Sequence, residues 1–202
     1  TQELPHTRRA ELEQALPAAL KGNFFSLNLE EVRGTLEKMP WVRKVELRRV
    51  WPAGLEVNIE EHRPVARWGE GRGELVNTFG EVFAATAPAA EMAVLPLLYG
   101  PSGTAPEVLK RYGEFFGNLK PLGQKLVQVT LSPRLAWQLR LENGMVVEMG
   151  REQPKSPVAV RLQRFIGAYP ETVGRRPVRP SVVDLRYPNG FAMRVAGEVK
   201  GK

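Results

Sequence analysis

The chain has 202 residues, 43% of them hydrophobic and 25% charged, a length and balance that suit one large folded domain or two small ones. With no cysteine and only two histidines, His6 and His62, it excludes disulfides, thiol chemistry and a metal site built on thiolate or imidazole ligands. Its 29 Lys and Arg against 22 Asp and Glu give a net charge of +7, but the densest basic groups (Arg43, Lys44, Arg48, Arg49; then Arg175, Arg176, Arg179) are short, which fits a solvated basic surface better than a nucleic-acid track.

Over residues 4–20, Leu12, Leu16 and Leu20 recur every four positions behind Thr7. That spacing predicts a short amphipathic helix capped by Thr7 and ended by Lys21-Gly22-Asn23. Asn28 then caps a second helix with the stripe Leu29, Val32, Leu36 and Met39, closed by Pro40. Next, Val45 and Leu47, then Leu55, Val57 and Ile59, alternate with Glu46, Arg48, Glu56, Asn58 and Glu60, the period of two strands with one wet face. Trp51-Pro52-Ala53-Gly54 supplies the hairpin connection. A two-stranded sheet is marginal, so a third strand is expected before Thr1, with its end in residues 1–4.

Beyond Arg63-Pro64 the texture changes. Short strands are predicted at 65–68, 75–77 and 82–84, separated by Gly-rich turns, with an Ala-rich stretch at 84–93 and then the segment 95–99 before Gly100-Pro101-Ser102-Gly103. A helix over 106–119 presents Val108, Leu109, Tyr112, Phe115 and Phe116 as its buried side. Strands at 126–131, 135–141 and 145–149 follow, the last two joined by Glu142-Asn143-Gly144, a strong hairpin signal. A helix over 157–169 places Val160, Leu162, Phe165 and Ile166 inward, and a closing hairpin pairs 182–187 with 191–195 around Pro188-Asn189-Gly190. The four tryptophans, Trp41, Trp51, Trp68 and Trp137, fall in strand or turn contexts that suit core packing.

Catalytic patterns find little to hold. None of Ser26, Ser102, Ser132, Ser156 and Ser181 sits in G-x-S-x-G, and Gly69, Gly71 and Gly73 lack the Lys and the following helix of a phosphate loop. Glu60-Glu61-His62 pairs carboxylates with a base, but at a strand end it reads as a solvated edge. No catalytic residue, cofactor or metal site is predicted.

The segment Met39-Pro40-Trp41-Val42-Arg43-Lys44-Val45, then Trp51-Pro52 and Glu60-Glu61-His62-Arg63-Pro64-Val65-Ala66-Arg67-Trp68, resembles the POTRA domain of the bacterial cell-division family FtsQ, also called DivIB. The stretches Val76-Asn77-Thr78-Phe79-Gly80-Glu81-Val82-Phe83, Leu95-Pro96-Leu97-Leu98-Tyr99-Gly100-Pro101, Trp137-Gln138-Leu139 and Val183-Asp184-Leu185-Arg186-Tyr187 extend the resemblance over nearly the whole chain in the family's order. It implies an α+β protein: a POTRA domain at 1–63 with two helices on a small sheet, a larger, mainly antiparallel β domain with two or more helices at 64–196, and a flexible tail at 197–202. It further implies a cytoplasmic tail and one transmembrane helix before residue 1. The region in hand would then lie in the periplasm, held at the inner membrane and concentrated at the division septum.

The resemblance also implies a non-enzymatic scaffold whose partners are the small coiled-coil proteins FtsB and FtsL and other division proteins, with no nucleic acid. By position, Arg186, Tyr187, Asn189, Gly190 and Phe191 match the family's partner-binding hairpin, and Arg134 resembles an arginine that pairs with a partner carboxylate. Lys44, Leu47 and Arg49 fall on the POTRA face that relatives use for recruitment, although the alternation of Leu47 with Val45 suits core packing equally. Asn189 stands where some relatives carry a hydroxyl residue, and Ala192-Met193-Arg194-Val195 replaces an ending on tryptophan. Independently of the resemblance, a final strand near the chain's end makes a free edge that accepts another chain's strand through unpaired backbone groups, while a core Tyr187 beside a solvated Arg186 accounts for the same pattern equally well. Two rival readings are a POTRA module of an outer-membrane secretion or assembly system, which predicts further repeats or a barrel, and a basic nucleic-acid-binding protein, which predicts aromatics exposed among the arginines.

Overall fold

The computed structural model describes residues 4–7, 10–12, 14, 28–52, 54–69, 73–175, 177–187 and 189–195. They fall into two compact units, Thr1–Pro64 with Phe83–Ala85, and Val65–Val82 with Thr86–Lys202. The expected end of a third POTRA strand, most of the first helix, and the tail at 197–202 lie outside the described residues.

In the first unit, helix α1 (Leu29–Leu36) begins where expected: Asn28 Oδ1 accepts the amides of Glu30 at 3.1 Å and Glu31 at 3.4 Å. Those two acids also sit at the positive end of the helix dipole. Val32 and Leu36 are fully buried against strand β1 (Val42–Val50), which pairs antiparallel with β2 (Gly54–Glu61). Val42, Val45 and Ile59 complete this core, with Leu29, Met39, Leu47, Leu55 and Val57 packed around it. The ribbon outruns the core, because residues 48–52 are all exposed. Trp51, at the tip, is 87% exposed, so the expectation that all four tryptophans pack in cores fails there: among the described residues the core of this unit ends before that tip.

The Glu60-Glu61-His62 cluster is structural. Glu61, whose side chain is only 6% exposed, accepts the backbone amides of His6 and Thr7 just ahead of the first helix, so it is not the solvated edge expected. Glu60 pairs with Arg43 at 3.0 Å, and His62 stacks on Phe83 with ring centroids 4.1 Å apart. His6 stacks on Trp41.

The second unit is built on a sheet of β3 (Pro64–Trp68), β4 (Glu74–Asn77), β6 (Leu97–Tyr99), β7 (Leu126–Leu131), β8 (Ala136–Leu141), β9 (Val146–Arg151), β10 (Pro180–Asp184) and β11 (Ala192–Val195), in the spatial order β11-β10-β9-β8-β7-β6-β3-β4. The strand after β4 in sequence, β5 (Val82–Ala84), is divided between the two units. The sheet is mostly antiparallel, with parallel pairings at β3–β6, β6–β7 and β9–β10. Each parallel pairing needs a crossover. The short helix α2 (Ala89–Val94) precedes β6, α3 (Ala105–Leu119) joins β6 to β7, and α4 (Val158–Thr172) joins β9 to β10.

The two long helices bury Val108, Phe115 and Leu119, and Val158, Leu162 and Phe165, against Leu126, Val129, Leu139, Val147 and Val183 of the sheet. Two expectations fail at helix margins. Phe116 is 41% exposed and Val160 57%, each one position off the stripe that faces the sheet. Arg161 occupies the inward position instead, 1% exposed, donating to the Arg151 carbonyl at the end of β9. Its burial pulls the guanidinium pKa downward.

Candidate partner-binding surface

β11 is the outermost strand of the sheet among the described residues, with β10 on its inner side and no strand beyond it. The register pairs Val182 with Arg194, Val183 with Met193 and Asp184 with Ala192. On its other flank β10 runs parallel to β9, Asp184 lying across from Glu148. The final strand is therefore one edge of the sheet.

The predicted strand to residue 187 ends earlier, at Asp184. Val183 and Leu185 are buried, but the alternation then breaks and Tyr187 is 54% exposed. The cause is a local hydrogen-bonded loop: Asp184 Oδ1 accepts both the backbone amide of Arg186 at 3.0 Å and its Nε at 2.8 Å, and Oδ2 accepts Nη2 at 2.6 Å. This fork lowers the Asp184 pKa, chiefly through the Arg186 side-chain hydrogen bonds and against the effect of burial, and raises that of Arg186. Arg186 is thus already committed to an internal carboxylate. Asn189 is exposed, whereas Phe191 is partly buried and meets Phe165 edge-on with ring centroids 5.4 Å apart. Of the hairpin residues singled out in the sequence, Tyr187 and Asn189 face outward and Phe191 anchors the turn to the core.

Arg134 lies in the turn between β7 and β8, exposed and without an ion pair among the described residues. The turn is held by Ser132, whose carbonyl accepts the Leu135 amide at 2.8 Å and whose Oγ accepts the Ala136 amide at 3.0 Å. Register carries this turn to the same end of the sheet as Tyr187: Leu131 pairs with Trp137, Trp137 with Gly150, and the Leu185 amide donates to the Glu148 carbonyl. At about 4.8 Å per strand, Arg134 and the Tyr187 turn are separated by roughly 10–15 Å along that end.

In the first unit the three POTRA candidates do not share a face. Lys44 is exposed and pairs with Glu46 at 2.7 Å, which raises its pKa and lowers that of Glu46. Leu47 points with Val45 toward the core, where it is half-buried, and Arg49 follows it on that side beyond the core's end. Strand alternation sets Lys44 on the opposite side from Leu47 and Arg49.

Sequence reasoning missed Asp184 and Arg164. The Asp-Leu-Arg spacing was a readable signal for the first; Arg164 sits on α4, 23 residues from Tyr187, and nothing local announces their contact. Among the described residues no cluster of metal-ligating side chains occurs, and no helix is long and apolar enough to cross a membrane.

A helix-backed ribbon followed by a strand-rich unit whose final strand is outermost among the described residues defines a two-domain protein of the POTRA-plus-β class. Residues 2–62 match the FtsQ-type POTRA domain, and residues 66–186 match the C-terminal domain of cell division protein FtsQ/DivIB. Curated relatives named Cell division protein FtsQ include that of Burkholderia pseudomallei, 45% identical over 178 residues, 88% of this chain and 70% of the relative. Those of Nitrosospira multiformis and Bordetella pertussis are 41% and 37% identical, covering 95% and 96% of this chain and 77% and 75% of theirs. The chain belongs to the FtsQ/DivIB family of cell-division proteins.

Proposed function

We propose that the chain is a non-enzymatic scaffold of the division machinery that captures the periplasmic segments of FtsB- and FtsL-type proteins by strand addition at β11. In this reading residues 1–63 are the POTRA domain and 64–196 the partner-binding domain, held in the periplasm by an inner-membrane anchor and concentrated at the septum. The observation that supports it is the outer edge of β11, unpaired among the described residues, with the exposed Tyr187 beside it. An unpaired edge supplies backbone donors and acceptors, and a fixed aromatic supplies the apolar anchor typical of interface hot spots. Arg134 is the better cation for a partner carboxylate, because Arg186 is occupied by Asp184. Other division proteins bind the POTRA unit, with Lys44, Leu47 and Arg49 as the candidates for contact.

The test is capture of the FtsB- and FtsL-type periplasmic segments by wild type, Tyr187→Ala and Arg134→Glu. Loss of capture by folded variants supports the reading. Unchanged capture removes the site assignment, and no capture by wild type removes the partner assignment.

A further inference from the structure

One guanidinium spans the turn between β10 and β11. Arg164 Nη2 donates to the Tyr187 carbonyl at 3.0 Å and to the Gly190 carbonyl at 3.4 Å. The next residue on α4, Phe165, is fully buried and meets Phe191 edge-on. Consecutive helix residues therefore grip the turn at one polar and one apolar point. Tyr187 and Gly190 lie outside both strands, so no ladder fixes their backbone. Arg suits the task, since its guanidinium stays charged at any working pH and carbonyl oxygens accept strongly from it.

We propose that Arg164 is a positioning residue for partner capture: it preforms the Tyr187–Gly190 turn, so that Tyr187 is presented before the incoming strand arrives. This rests on the strand-addition reading above. A turn ordered in advance binds more tightly than a mobile one, because its ordering is not charged against association. Helix α4, although away from the edge, thereby sets the geometry of recognition.

The experiment compares Arg164→Ala, Arg164→Lys, Tyr187→Ala and the double variant Arg164→Ala/Tyr187→Ala in the full chain. In the free protein, backbone amide order parameters at Tyr187, Asn189 and Gly190 drop to below about 0.6 in Arg164→Ala, while those of Leu139 and Val147 stay in the rigid range. Arg164→Lys, which retains a charged donor, recovers part of the difference. Affinity for the FtsB-type segment falls about five- to tenfold in Arg164→Ala, and the double variant binds no worse than Tyr187→Ala alone. Unchanged order parameters in Arg164→Ala overturn the proposal whether or not the segment binds, and additive losses overturn the claim that Arg164 acts through the turn. Failure of wild type to bind removes the partner reading and the binding half of this proposal, while the order-parameter arm still decides the latch.

Discussion

Replacing Gly150 with Ala tests whether the Arg186 stem is packed where the geometry puts it. Gly150 has φ +71°, and a Cβ there would sit 2.8 Å from Arg186 Cγ, 3.2 Å from Arg161 Nη1 and 3.3 Å from Arg186 Cδ. The left-handed backbone alone costs a side-chain-bearing residue about 1–2 kcal/mol. Arg186 must also move, and since its far end is forked onto Asp184, moving the stem breaks the fork. With Arg186 63% exposed, solvent screening limits that second loss to about 0–1 kcal/mol. Gly144→Ala is the control: its φ is +84°, yet nothing lies within 4 Å of an added Cβ, so only the backbone cost applies. In urea unfolding, both variants shift the midpoint down at unchanged slope, Gly150→Ala further by the equivalent of up to about 1 kcal/mol. In an Arg186→Ala background most of that excess disappears. Equal midpoints for the two alanine variants in the wild-type background would refute the packing of Arg186 on Gly150.

Other consequences follow from single contacts. Asn28→Ala removes the acceptor for the Glu30 and Glu31 amides and lowers the stability of the first unit by about 1 kcal/mol, read by thermal unfolding. The Asp184 carboxyl titrates below the ordinary aspartate range because Arg186 donates to it, so its stabilising contribution is complete at neutral pH and is lost as pH falls through its own lowered pKa. Carboxyl NMR titration checks this, and Arg186→Ala brings the midpoint back up. Trp51→Phe abolishes most of the emission that acrylamide quenches, because Trp51 is 87% exposed while Trp68 and Trp137 are 8% and 3% and Trp41 is half-buried under His6.

Most of the architecture was readable because period and punctuation agreed. The Asn28 cap, the period-two alternation around Val45 and Ile59, and the Asn143-Gly144 turn each specify local geometry directly. What escaped the sequence depends on tertiary placement. Val160 and Arg161 are neighbours on one helix, and only the rotation of α4 on the sheet decides that the arginine goes inward. Trp51 looks like a core residue until the ribbon is seen to outrun its helix. At the candidate surface, Tyr187 was legible as a residue but not as an exposed one: alternation extended the strand through it, whereas the Asp184 fork ends the pattern at Leu185. Lys44 and Leu47 are close in sequence and fall on opposite sides of their strand, a distinction that the family resemblance did not carry.

The central claim is that a visiting strand completes the sheet at β11, and backbone protection reads this directly. On adding the FtsB-type periplasmic segment, the outward-facing alternate amides of Ala192–Val195 should slow in hydrogen exchange, while inward-facing amides already bonded to β10 change little. Binding of the segment with every β11 amide exchanging as in the free protein would contradict strand addition.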